Sequence, residues 1–287
     1  MLCYNLPMAK DKYTATWVSH SSMGDFLKCP RAYYLKNIYK NPETGKKMSI
    51  VSPALSLGLA VHEVAEGLVR FPAEERANQP LLEQFEEAWV KVSGKRGGFK
   101  TAEEEPEMKA RGVAMIERLR DHLGPLAEKA IKLPDGNNGM PPNYYLSEDD
   151  NIILCGKIDW LQYISADDSL RVIDFKTGKH EEGSDSLQLP IYKLLLTNLQ
   201  KRKVSGAAYW YLDSADAPVD VELPSTEEAY KKVIKVAKQV ANARAMKFFD
   251  CPKGKEGCFA CKPFEQILAG KAEFIGSGEY GQELYLV

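Results

Sequence analysis

The chain has 287 residues, 44% of them hydrophobic and 27% charged, and carries a net charge of -2. That is ample for the core of one large domain or two small ones. No apolar run approaches the roughly 20 residues that span a bilayer, and the near-neutral charge excludes a polycation that grips long duplex DNA by charge alone.

Residues 1–18 read as a flexible lead-in; Met1–Ala15 lacks a basic region followed by an apolar stretch, so no secretory signal and a cytoplasmic location are expected. Ser19 to Ser22 can cap a helix running through Phe26–Tyr39, bent or restarted at Pro30. Residues 41–53 are loop-like. Helices are predicted over about 54–70, 80–93 and 104–131, the last two separated by Gly97 and Gly98. A Gly- and Pro-rich loop at 135–142 precedes strands at about 143–147, 151–163 and 170–176. Then come a helix at 185–201, a strand at 205–212, a short strand at 219–223 and a helix at 225–247. The expected organisation is one domain over 19–261 with a helical insertion at about 72–135, followed by a tail at 262–287. Helices, then a sheet, then helices again give an α/β core within a helical envelope.

The segment Val172–Gly178, VIDFKTG, carries the sharpest chemistry. Side chains alternate along a strand, so Asp174 and Lys176 project to one side. Alone, the pair is a surface ion pair at a hairpin. Following an apolar run, a carboxylate is costly unless it is paired or bound to a metal. Asp159 ends the earlier apolar run and supplies a second acid; such hard oxygen ligands suit Mg²⁺ or Mn²⁺. Gln188 and Tyr192 lie four apart on the following helix, on one face that can present an amide and a phenol to a phosphate backbone. His62 sits at the edge of the stripe Leu57, Val61, Ala65 and Leu68, where a histidine is a core residue or a ligand. Gly58 one turn before would allow close approach to the sheet, and Glu66 one turn after could orient the ring.

Cys258 and Cys261 form a C-x-x-C, with Cys251 seven residues earlier and Gly254 and Gly257 between. Three thiolates need a fourth, for which Cys29 is the candidate. Cys155 reads as a packed core thiol, and Cys3 carries no signal. Lys201–Lys203 and the lysines 231, 232, 235 and 238 are either part of a substrate track or solvated helix faces.

The order G-x-x-x-H (Gly58, His62), G-x-x-D (Gly156, Asp159), D-x-K-T-G (Asp174–Gly178) and Q-x-x-x-Y (Gln188, Tyr192) resembles the RecB-like branch of the PD-(D/E)XK nuclease superfamily, which includes CRISPR adaptation nucleases. The resemblance spans about 19–261. It implies a restriction-endonuclease-like mixed sheet flanked by helices, and a metal-dependent DNA nuclease, foremost an exonuclease on single strands or DNA ends. It implies a metal held by His62, Asp159, Asp174 and the main-chain carbonyl of Phe175, with Lys176 at the attacking water and Gln188 and Tyr192 positioning substrate. Phe26 to Leu35, F-x-x-C-P-R-A-Y-Y-L, is similar to the first cluster motif of the iron–sulfur members, which place one cysteine before the nuclease core and three after. A [4Fe–4S] cluster on Cys29, Cys251, Cys258 and Cys261 is therefore expected. In the better-known relatives the extra cysteine follows the C-x-x-C, whereas here Cys251 precedes it, which keeps structural zinc on the same thiolates open. No P-loop is present, so any motor would come from a partner helicase; an integrase or a recombination protein is another possible partner. The competing classes are a non-catalytic nucleic-acid-binding or structural subunit of the same fold, and a zinc-stabilised interaction module.

Overall fold

A computed structural model of the chain describes residues 12–136 and 139–287; Cys3, most of the lead-in and part of the 135–142 loop lie outside them. In chain order the elements are β1 (Thr16–Val18), α1 (His20–Lys28), α2 (Pro30–Tyr33) with a π-helical turn Tyr34–Ile38, β2 (Met48–Ile50) and α3 (Pro53–Gly67). There follow α4 (Leu81–Val90), α5 (Glu104–Asp121), β3 (Asn143–Ser147), β4 (Ile152–Cys155), β5 (Trp160–Ile164), β6 (Ser169–Lys176) and α6 (Gln188–Leu199). The chain ends with β7 (Lys203–Tyr211), β8 (Val219–Val221), α7 (Thr226–Met246), α8 (Lys262–Leu268), β9 (Glu273–Ser277) and β10 (Glu283–Leu286).

The central sheet has the order β5-β6-β7-β8, with β6 and β7 parallel and both outer pairings antiparallel. Alternation along β6 decides what lies on each face. Val172 packs with α6 and α7, while Ile173 and Phe175 pack with α3, α4 and α5. Each fully buried side chain of this size contributes about 1.5–3 kcal/mol. The fold is the expected mixed α/β sheet between helices. Two small sheets flank it, β1-β4-β3 and β2-β10-β9.

Several boundaries differ from the sequence expectations for identifiable reasons. Ser19 caps α1 through a capping box with Ser22, and the helix stops at Cys29, whose φ of -168° is extended. Pro30 then opens α2, as a proline at the first helical position can. Residues 16–18, expected to be flexible, pair in parallel with β4. The helix expected to reach 131 ends at Asp121, because Gly124 adopts φ +46° and Pro125 follows. The single strand expected over 151–163 is two strands in different sheets, broken over 156–159. Gly156 lies against Leu195 of α6, where a Cβ would come within 3.0 Å of Cδ1. The expected tail is ordered: α8 packs Phe264 and Ile267 on Leu35 and Met48, and β10 pairs in parallel with β2. Among the described residues no helix is long and apolar enough to cross a membrane.

Candidate active site and cysteine centre

Asp174 sits near the C-terminal end of β6 and is 1% exposed. Its Oδ1 accepts from Gln188 Nε2 at 2.6 Å and from the Tyr192 hydroxyl at 2.8 Å. Tyr192 and Gln188 are themselves linked at 3.1 Å. Burial, reinforced by the charges of Asp174 and Asp159, pushes the Tyr192 phenol well up, so it stays a donor. Gln188 and Tyr192, expected to position substrate, are buried against the strand. The face of α6 they share is the one turned to the sheet, and an acid this deeply buried needs donors.

Lys176 follows on the same face. Its Nζ lies 2.9 Å from Asp174 Oδ2 and 3.2 Å from Glu182 Oε2, bonds Gln188 Oε1, and stands 5.0 Å over the Tyr209 ring. Burial would lower the Lys176 pKa, but Asp174 and Glu182 outweigh it and hold it above the ordinary value. Although close to Lys176, Asp174 Oδ2 receives no well-directed hydrogen bond and is fully enclosed. That oxygen's charged partner is the Lys176 ammonium, and the Asp174 charge also acts on the neighbouring Asp159.

Asp159 occupies the break before β5. Its Oδ2 accepts from the Phe175 backbone N–H at 3.0 Å and lies 3.5 Å from His62 Nδ1. Burial first, and then the Asp174 charge, push its carboxyl up to about 7. N–H and C=O of one strand residue point to the same edge, so the Phe175 carbonyl also faces Asp159. From the opposite layer, α3 brings His62, whose Nδ1 is 3.0 Å from Glu66 Oε1, while Glu66 Oε2 pairs with Lys157 at 2.5 Å. Burial opposes charge on the His62 ring, yet Glu66 and Asp159 raise its pKa overall. Ligand atoms of His62, Glu66 and Asp159 all lie within 4.8 Å of one another. Imidazole plus carboxylates fits Mn²⁺ or Mg²⁺, and a cation would relieve the acid crowding that lifts Asp159. Glu66, read from sequence as an orienting partner, is thus a potential ligand. Its signal was the four-residue spacing from His62. A Cβ at Gly58 would rest 3.5 Å from Thr177 Oγ1, an ordinary contact, so Gly58 is not required for the approach of α3.

Cys29, Cys251, Cys258 and Cys261 come together as free thiols whose sulfurs all lie within 4.8 Å of one another. The extended Cys29 joins α1 to α2, and Cys261 precedes α8; both are buried. Gly254 and Gly257 take φ +67° and +70°, a left-handed backbone that lets Cys251 and Cys258 fold back. Burial pushes the Cys29 thiol up to about 12. Cys258 is held down at about 7: burial opposes this, and backbone N–H groups of Cys261 and Ala260 favour it. Four sulfurs converging in this way suit a soft metal centre. Cys155 stands apart, its Sγ 3.5 Å from Val18 O and its pKa pushed to about 11 by burial.

A family model for the PD-(D/E)XK nuclease superfamily matches residues 17–264. No curated protein matches the chain.

Proposed function

The chain belongs to the PD-(D/E)XK nuclease superfamily, and on that premise we propose a metal-dependent DNA nuclease of the RecB-like branch, an exonuclease on single strands or DNA ends. The observation that carries this reading is the buried Asp174–Lys176 pair, gripped by Gln188 and Tyr192 and facing the His62–Glu66–Asp159 group. His62, Glu66, Asp159, Asp174 and the Phe175 carbonyl would hold Mg²⁺ or Mn²⁺. Bound there, the ion supplies an activated water and offsets charge on the phosphorane. Lys176 holds its proton and donates to a phosphate oxygen or to the attacking water. Gln188 and Tyr192 fix the Asp174 carboxylate, so the acid does not reorganise as charge develops. The biological setting proposed is recombination, phage replication or CRISPR adaptation, with a helicase or integrase as partner.

For the cysteine centre we propose a [4Fe–4S] cluster, supported by the order of one cysteine before the core and three after. Structural Zn²⁺ is favoured by one observation: the Cys258 and Cys261 sulfurs lie 3.8 Å apart. That is the tetrahedral edge expected for Zn–S bonds of about 2.3 Å, and a cubane holds its sulfurs wider.

The deciding assay offers labelled single-stranded, duplex and RNA substrates with and without Mn²⁺. Asp174→Ala and Lys176→Ala should each reduce cleavage by about 10²–10³ or more. Wild-type-like cleavage by either folded variant would sink the assignment.

A further inference from the structure

A cleft of about 300 Å³ opens beside the acid cluster, between the C-terminal end of α3 and the start of β5. Glu66 and Asp159 form one end of it, so it is continuous with the proposed catalytic centre. Its floor is apolar, built by Ile131, Leu133 and Ile158, and its rim carries Arg70, Lys132 and Lys157. The volume sits at the small end of the roughly 300–1,000 Å³ typical of ligand sites, enough for one nucleotide and not for a duplex.

The charges on the rim are not equivalent. Of the acids in the cleft, Glu63 is neutralised by Lys91 at 2.5 Å, and Asp135 faces Lys132 at 3.6 Å. Lys157 is taken by Glu66. Of the three rim cations, Arg70 alone makes no ion pair among the described residues; its Nε donates to the Gly67 carbonyl at 3.2 Å and its guanidinium lies against Gly67, which also lines the cleft. Arg70 stands four residues past Glu66, at the end of a 3-10 turn, Leu68–Arg70, that continues α3. A guanidinium one step beyond a metal-ligand group, above an apolar floor, is what a phosphorylated nucleotide needs: a fork for the phosphate and a dry surface for the base.

We infer that this cleft is a subsite for the terminal nucleotide of the strand being cut, with Arg70 reading a 5′-phosphate and Ile131, Leu133 and Ile158 carrying the base. The inference rests on the nuclease reading and sharpens it, because it makes a 5′-phosphorylated end the preferred substrate. The scissile phosphate then lies on the 3′ side of the bound nucleotide, at the acid cluster.

Two readouts test it on the full chain. The first is calorimetric titration with deoxythymidine 5′-monophosphate in EDTA, against unphosphorylated deoxythymidine. Wild type should bind the monophosphate about tenfold more tightly, as one charge-assisted contact implies. Arg70→Ala should abolish that difference. Lys132→Glu, a change at an exposed rim position, should weaken monophosphate binding without a folding penalty. The second readout is cleavage of linear single strands bearing a 5′-phosphate or a 5′-hydroxyl, and of circular strands, in Mn²⁺. The phosphorylated end should be preferred about tenfold, and Arg70→Ala should erase the preference. Equal cleavage of all three substrates with no monophosphate binding would overturn the subsite and leave the nuclease reading standing. Cleavage of no nucleic acid would overturn the nuclease reading, while the titration in EDTA would still decide whether the cleft takes a nucleotide.

Discussion

At the scale of single residues, the centre is organised around one carboxylate. The D-x-K spacing predicts a shared face for Asp174 and Lys176, and their side chains meet at 2.9 Å. The contact of Gln188 and Tyr192 with Asp174 was not legible, since a four-residue spacing gives a common face but not its direction. In the structure their donors converge on Asp174 Oδ1. Tyr192→Phe should lower kcat about tenfold with little change in KM, because one of two donors to a buried acid is lost. Gln188→Ala should cost more, since it also strips a partner from Lys176. A rise in KM with unchanged kcat would return both residues to substrate binding. His62→Ala and Glu66→Ala should each shift the Mn²⁺ titration of activity to higher concentration by about tenfold or more, with little change in Tm. For His62, a large fall in Tm with a normal metal response would mark a core histidine instead.

At the scale of elements, the hydrophobic periods located every long helix and the strands that became β6 and β7. They failed where a run changed partners. Apolar residues resume on both sides of Gly156–Asp159, so no change of period marks the place where the chain leaves β4 and re-enters the central sheet at β5. The β2-β10 ladder joins residues more than 230 apart (Met48 to Glu283), and three- or four-residue strands carry too few alternations to be seen. Glycine meaning was equally position-dependent. Gly58 looked like the residue that lets a helix approach, yet its Cβ would meet only an ordinary contact. Gly112 on α5 is the tight one: a Cβ there would fall 2.4 Å from Phe85 Cζ on α4. Gly112→Ala should therefore destabilise by about 1–3 kcal/mol through overpacking, despite alanine's better helix propensity. Gly58→Ala should be neutral or slightly stabilising. Thermal denaturation of the two variants side by side checks the contrast, and equal shifts would refute it.

At the scale of the molecule, the four cysteines tie together parts of the chain that nothing else in the sequence marks as neighbours. Cys29 belongs to the helices before the central sheet and the other three to the segment after α7. The loop they close runs to 222 residues (251 minus 29). Loop-closure entropy grows slowly with length, so even so long a closure costs only modestly more than a short one. A metal bound by these four thiolates would add folding free energy, because the ligands meet only in the folded chain. An ion pair joins the same two segments, Arg31 Nε to Glu265 Oε1 at 2.6 Å, but both side chains are more than a third exposed and the pair is worth little alone. Beyond it, α8 rests on Leu35 and Met48, and β10 pairs with β2. Cys29→Ala should hence release the bound metal and expose both the α1–α2 segment and the residues after Met246 to protease, although it lies far in sequence from the other three ligands. Cys155→Ala should keep the full metal content. Metal analysis of anaerobically purified protein separates the two chemistries: iron with sulfide and a brown colour for the cluster, one zinc without colour for the single ion. Retention of all metal by Cys29→Ala would remove it from the ligand set and leave the joint to packing alone.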